Sequence, residues 1–255
     1  MFNLLNHLKH SSGSSFVFRC KKFVTSTSCN LKSVREQSTA RRTCLYDFHV
    51  QNQGKIVNFA GWLLPVQYKE AIAVSHQHTR TQASLFDVGH MLQTIVWGKN
   101  SGEFLESLTT ADLKNLKPGG STLTVFTNDQ GGILDDLIIT KDAEDRFYVV
   151  SNAGRRDSDI DLFTQRKVPI FLPSKYFLFS SNSLNFFLVF QDEFDKRGRR
   201  VQLEYLDPLE RGLVALQGPG AAKVLQKLVE VNLNEVYFMN SVETQAKKIN
   251  VRITR

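Results

Sequence analysis

Residues Gly131-Gly132-Ile133-Leu134-Asp135-Asp136-Leu137-Ile138-Ile139 set two adjacent carboxylates into an otherwise apolar run behind a paired-glycine bend. In a strand, neighbours face opposite sides, so one aspartate points to each face. The one that faces the interior is costly to bury ionised unless a donor or a ligand meets it. Such a carboxylate can accept a hydrogen bond from a ligand N–H or take part in proton transfer. A structural role is equally open: an aspartate could tie down the Gly-Gly turn or pair with an arginine. Asn152 is a second polar residue at the end of an apolar run, Phe147–Val150, and by itself it reads as a turn residue. The six histidines, His7, His10, His49, His76, His78 and His90, form no cluster with ligand spacing. His76 and His78 would point different ways on a helix, and no metal site is expected. Gly218-Pro219-Gly220 reads as a helix start more readily than as an anion cradle.

Several elements must carry these residues. Ile56–Phe59 reads as a strand, followed by a turn at Gly61–Pro65. Lys69–Ala83 is helical by pattern, with Ala71, Val74, His78 and Gln82 on one face. Leu92–Trp97 alternates as a strand up to Gly98. Gly102–Leu108 reads as a short helix with Phe104, Leu105 and Leu108 inward. Leu123–Phe126 and Ile133–Thr140 are strands around the turn at residues 128–132, and Phe147–Val150 is a third. Arg155–Lys167 is helical through Ile160 and Phe163. Val201–Leu206, Leu213–Gln217 and Val251–Ile253 read as strands, and Ala221–Val229 as a helix buried through Val224, Leu225 and Leu228. Strands and helices mix without a regular βαβ period, which favours an α+β fold of mixed, mainly antiparallel sheets with flanking helices.

The chain of 255 residues has ordinary globular composition and a formal net charge of +7. The basic excess belongs to residues 1–42, which hold eight Lys or Arg and one acid, Glu36. The remainder is formally neutral, so bulk charge gives no support to a nucleic-acid interface. Residues 1–42 are Ser/Thr-rich, acid-poor and punctuated by short apolar clusters, the composition of a mitochondrial transit peptide expected to be disordered and addressed to the matrix. No apolar run is long enough to span a membrane.

Residues 168–191 differ from their surroundings: six phenylalanines and one charge fall in 24 residues. They interrupt a helical pattern. With them removed, Phe194 follows Phe163 by seven positions and the apolar face continues. A Phe/Leu/Ser/Asn bias, a leading Val codon and a closing Phe-Gln fit an intron retained in frame. An inserted apolar loop or partner-binding insert is the alternative.

In order along the chain, Leu45-Tyr46-Asp47-Phe48-His49, Asn58-Phe59-Ala60-Gly61-Trp62-Leu63-Leu64-Pro65-Val66-Gln67-Tyr68, Ser84-Leu85-Phe86-Asp87-Val88-Gly89-His90-Met91, Gly131–Leu137, Tyr148-Val149-Val150-Ser151-Asn152-Ala153-Gly154 and Ala215-Leu216-Gln217-Gly218-Pro219 resemble the aminomethyltransferases of the glycine cleavage system, the T-protein family. The resemblance is colinear over Thr43–Arg255 outside 168–191. It implies the T-protein folate-binding fold and a transferase that takes the aminomethyl group from the lipoyl arm of H-protein. The one-carbon unit passes to tetrahydrofolate, ammonia is released and dihydrolipoyl H-protein remains. By the same resemblance Asp136 is the catalytic carboxylate beside the folate nitrogens, Met91 and Asn152 line the pterin pocket, and Ile138 is a wall residue on the face of Asp136. Met91 without the family reads equally as core packing.

Two departures follow. Gly89 stands where the family usually has Ser, which implies a looser turn. The sequence given stops at Arg255, before the family's Gly-Tyr-Thr-Gly-Glu turn, so by the resemblance an incomplete second domain and no C-terminal barrel are expected of it. An open folate channel and little or no activity are therefore expected of this chain as given. Competing readings are a non-catalytic folate-fold binding or assembly protein and an inactive fragment that contacts H-protein. The intact flanks of Asp136 favour the enzyme.

Overall fold

A computed structural model describes residues 14–21, 40–167 and 201–255. The proposed retained segment, 168–191, lies outside the described residues. The chain divides into two compact units, one of Met1–His90 with Asp207–Arg255 and one of Met91–Leu206.

In the second of these, β5 (Leu92–Trp97), β6 (Ser121–Thr127), β7 (Ile133–Ala143), β8 (Arg146–Ser151) and β9 (Gln202–Tyr205) form an antiparallel sheet in the order β6-β7-β8-β5-β9. Alternation assigns Leu137 and Ile139 to one face, with Phe147 and Val149 beside them. That face is covered by α3 (Ser101–Glu106) and α4 (Arg156–Lys167). Leu105, Leu108, Phe126 and Phe163 are fully enclosed there, and Phe126 meets Phe163 edge-on at 5.4 Å between ring centroids. Burying each such side chain contributes about 2–3 kcal/mol.

The other unit begins with α1 (Tyr46–Gln51) and the hairpin of β2 (Lys55–Phe59) with β3 (Trp62–Gln67). The turn expected at Gly61–Pro65 is instead Ala60-Gly61, with φ of 51° and 82°. Positive φ at both central residues matches the twist of a two-residue hairpin, so Trp62 onward is strand and Trp62, Leu63 and Leu64 are buried. Helix α2 (Ile72–Thr81) forms as expected but buries no residue; Ile72 and Val74 are more than half exposed. The main sheet has the order β11-β12-β1-β10-β4, from β1 (Ser14–Lys21), β4 (Ser84–Asp87), β10 (Arg211–Gly218), β11 (Ser241–Ala246) and β12 (Ile249–Thr254). Ser14–Lys21 lies inside the segment read as a disordered leader, and its backbone is a central strand here. Helix α5 (Ala221–Gln226) packs through Leu225 alone of the three residues expected inward; Val224 and Leu228 are about two-fifths exposed. The helix ends after Gln226, before the stripe reaches Leu228.

The two sheets are versions of one plan. β5-α3-β6-β7 in one corresponds to β10-α5-β11-β12 in the other, at a nearly constant interval. Gly98 and Gly218 have φ of 119° and 118°. Leu105 matches Leu225, Leu113 matches Leu233 and Ser121 matches Ser241. The Glu106 carboxylate accepts from the Leu113 N–H at 2.7 Å, and the Gln226 amide oxygen accepts from the Leu233 N–H at 3.0 Å. Each edge strand is exchanged: β4, which precedes β5 in the chain, pairs with β10, while β9, which precedes β10, pairs with β5. Among the described residues no helix is long and apolar enough to cross a membrane.

Candidate functional site

The paired-glycine bend is tied down by Asn128, not by an aspartate. Its side-chain oxygen accepts from the backbone N–H of Gln130 at 3.1 Å and of Gly132 at 2.7 Å. Gly131 takes φ of 78°, a conformation that favours glycine. The structural role left open for the two acids is therefore already filled. Among the described residues neither Asp135 nor Asp136 pairs with an arginine.

The bend's register shift between Phe126 and Thr127 delivers β7 so that Asp136 sits across from Val125 and Ile138 across from Leu123 and Val150. Asp136 and Ile138 therefore share the face opposite Leu137 and Ile139. Both are half-buried. Leu92 pairs with Ser151 and Ser151 with Leu137. One step further along these ladders, Met91, Asn152 and Asp136 fall in a row. The four residues singled out from the sequence thus fall at one end of one sheet, with Asp136 and Ile138 on the same face. Gln93 is buried on this face and accepts from the Tyr148 hydroxyl at 2.7 Å.

Asn152 is more than a liner. Its side-chain amide donates to Asp135 Oδ1 at 2.9 Å, to Asp136 Oδ1 at 2.9 Å and to the Asp136 carbonyl at 3.1 Å, while its backbone N–H reaches Asp135 Oδ2 at 3.3 Å. One asparagine fixes both carboxylates. Its partners lie 16 and 17 residues upstream, so no local pattern announces the clamp.

On the opposite face Asp159, from the first turns of α4, is 2% exposed and accepts from the Ser151 hydroxyl at 2.6 Å. Burial pushes its carboxyl up to about 7. The Ser151 bond opposes that shift and the neighbouring Asp135 adds to it. The sequence pattern set Ile160 inward with Phe163. Instead the enclosed residue one turn before Phe163 is Asp159, and Ile160 is half-buried. A carboxylate at a buried helical position is the signal that could have marked it.

A second polar cluster belongs to the other unit. His49 Nε2 meets Asp87 Oδ2 at 2.8 Å and its Nδ1 meets the Tyr68 hydroxyl at 2.6 Å. Thr43 Oγ1 donates to Asp87 Oδ2 at 2.6 Å, and the Gly89 N–H to Oδ1 at 2.8 Å. Burial alone would raise the Asp87 carboxyl. The hydrogen bonds from His49, Thr43 and Gly89, with the charge of His49, outweigh it and hold Asp87 below its ordinary value. Burial lowers His90 and raises Tyr68, and Asp87 reinforces the second shift. Gly89 is not in a left-handed conformation. A Cβ there would lie 3.0 Å from Asp87 Oδ1, so what its lack of a side chain provides is a close approach to that carboxylate.

The GCVT N-terminal domain family matches residues 45–255. The mitochondrial aminomethyltransferase of Mus musculus is 44% identical over 220 residues, covering 86% of this chain and 48% of that protein. The mitochondrial aminomethyltransferase of Pisum sativum is 41% identical over 202 residues, covering 79% of this chain and 43% of that protein. Among solved structures, the glycine cleavage system aminomethyltransferase T of Bartonella henselae aligns with a TM-score of 0.64 at 32% identity, over 84% of this chain and 53% of that one. The chain spans about half the length of the curated relatives it matches.

Proposed function

Because the chain belongs to the GCVT N-terminal domain family, we propose that it is the folate-binding part of an aminomethyltransferase of the glycine cleavage system, acting in mitochondria. Its donor would be the aminomethyl-lipoyl arm of H-protein and its acceptor tetrahydrofolate. The carbon–sulfur bond to the lipoyl arm and the carbon–nitrogen bond to the amine break, bonds from that carbon to folate nitrogen form, and ammonia and the reduced lipoyl thiol leave.

In this reading Asp136 accepts a hydrogen bond from a folate N–H and orients the nucleophilic nitrogen. Asn152 holds the Asp136 carboxylate in place and is a positioning residue. Ile138 and Met91 offer apolar surface to the flat ring. The observation that carries the reading is the half-buried Asp136, clamped by Asn152 beside apolar neighbours and not needed for the bend, within a chain 44% identical to a mitochondrial aminomethyltransferase. Residues 1–42 serve as a matrix address. Residues 168–191 are a retained intron, and genomic sequence lacking splice signals at both ends would refute that part.

The test compares this chain with a version lacking 168–191 and extended past Arg255. Tetrahydrofolate titration and one-carbon transfer from aminomethyl-lipoyl H-protein are the readouts. The extended form should bind and turn over, and the chain as given should bind weakly. In the extended form Asp136→Asn should lower turnover by about 10²–10⁴-fold while leaving most folate binding. Unchanged turnover would remove Asp136 from the mechanism.

A further inference from the structure

Resting on the reading of Asp136 as the folate-facing carboxylate, we propose that Asp159 is a positioning residue for it from across the sheet. Through Asp135 and Asn152, Asp159 closes or opens the clamp that aims the Asp136 carboxylate.

The path runs through three elements. Leu137 pairs with Ser151, so Asp135, Leu137 and Ser151 belong to the face covered by α4, and Asp136 belongs to the other. Asn152 serves both faces. Its backbone is extended, with φ of −79° and ψ of 137°, and its side-chain amide donates to Oδ1 of both aspartates at 2.9 Å. Among the described residues no donor meets Asp136 Oδ2, so the clamp fixes one oxygen and leaves the other for a ligand N–H. Asp135 is held twice, because the Asn152 backbone N–H also reaches its Oδ2 at 3.3 Å. A displacement of Asp135 therefore loosens Asn152, and with it Asp136.

Asp159 is placed to cause that displacement. It comes from α4, is enclosed, accepts from the Ser151 hydroxyl at 2.6 Å and is a hydrogen-bond neighbour of the Asp135 carboxyl. Among the described residues it has no ion-pair partner. The charged groups that bear on it are Asp135 from β7 and Arg155 from the turn Ala153–Arg155 ahead of α4. Helix α3 and strand β6 present Phe104 and Phe126 to α4 at Phe163, and Tyr205 of β9 senses Arg156 and Asp161. In its acid form Asp159 donates to the Asp135 carboxylate and steadies it against Asn152. Once ionised it has no proton to offer, and two carboxylates in contact repel each other. Asp135 then turns away, Asn152 loses an acceptor, and Asp136 loses its fixed direction. The raised Asp159 value, about 7, brings this change within reach of neutral pH. A neutral amide at this position would make the same bond permanently; the acid makes it conditional on a proton.

Two readouts test this. The first uses the full chain without folate, labelled with nitrogen-15 in asparagine, the Asn152 side-chain amide being assigned by its loss in Asn152→Ser. Its signals should shift with a midpoint near 7. In Asp159→Asn they should stay constant from about pH 5 to about pH 8.5, since the amide donates without ionising. The second uses the chain lacking 168–191 and extended past Arg255. Its kcat should fall on the order of tenfold as pH rises through 7, the scale of a misaimed catalytic group, with KM changed by no more than about twofold. Asp159→Ala, which has no donor, should stay at the lower kcat throughout, and Asp159→Asn should restore the upper level and abolish the fall. An Asn152 amide that ignores pH in the parent, one that titrates alike in Asp159→Asn, or a kcat fall that is missing from the parent or persists in Asp159→Asn would each overturn the proposal. Failure of the Asp136 reading shows separately, as full turnover in Asp136→Asn. If Asp159→Ala does not fold, the comparison of parent with Asp159→Asn decides.

Discussion

The two sheets share a plan and differ in chemistry. On β7 the positions after the bend are Asp135, Asp136 and Ile138. At the corresponding positions β12 has Ile249, Asn250 and Arg252. The β12 sheet pairs in the same register with no acid at either place and a short Lys247-Lys248 turn in place of the glycine bend. The fold therefore does not require carboxylates there, and their presence in one sheet alone argues for a site. The exchanged edge strands diverge as well. Asp87 of β4 anchors a hydrogen-bonded cluster, whereas Tyr205 holds the matching place on β9. One sheet carries its clamped pair of carboxylates on β7, held from the end of β8, and the other carries its hydrogen-bonded Asp87 at the end of β4.

That contrast can be broken in graded steps. Asp87→Ala strips the acceptor from His49, Thr43 and the Gly89 N–H. It should cost about 4 kcal/mol, the scale for removing one partner of a buried pair. Exchange protection should fall around β3 and β4 while the amides of β8 stay protected; a loss shared by both sheets would contradict their separate anchoring. Because the folded Asp87 carboxyl is held low, its contribution is present above its unfolded value near 3.9 and is lost as pH falls through the folded one.

Leu105→Ala and Leu225→Ala remove matching core residues, so denaturant melts should show similar losses of about 3 kcal/mol each. A large inequality would mean that the repeated plan is not repeated energetically. Asp159 works in the opposite sense to Asp87. Its raised value, about 7, means that its contribution is full below the unfolded value near 3.9 and disappears as pH rises through 7. Asp159→Asn should flatten the decline in stability between pH 4 and 7, and a slope identical to the parent would show that the Asp159 carboxyl is not raised by its burial. The smallest effect is a gain. Met239 has φ of 60° where the other sheet has Gly119 at 82°. Met239→Gly should stabilise by about 0.5–1 kcal/mol, readable as a small rise in melting temperature.

Much of this architecture was legible in residue order. The alternation of Ile133–Thr140 marked a strand and separated Asp135 from Asp136 by face. The Phe147–Val150 run and the helix at 156–167 were equally plain. Ser241–Ala246, with the sequence Ser-Val-Glu-Thr-Gln-Ala, is too polar to announce a strand, and it forms one because β12 pairs with its whole length. The stripes on α2 and α5 promised more burial than they achieve, since periodicity reports a face and not what covers it.

Residue types and spacing alone determined the local elements, the glycine bend and the apolar setting of the two acids, because each depends on neighbours within a few positions, and the order of such blocks along the chain carried the family resemblance. Only the tertiary structure decided that Asn152 bridges both aspartates, that Asp159 rather than Ile160 turns inward beside Ser151, that β4 and β9 are exchanged, and that Ser14–Lys21 pairs between β10 and β12. Each of these depends on groups that pairing and packing bring together from distant positions or turn toward a particular face, and short-range periodicity carries no record of such choices.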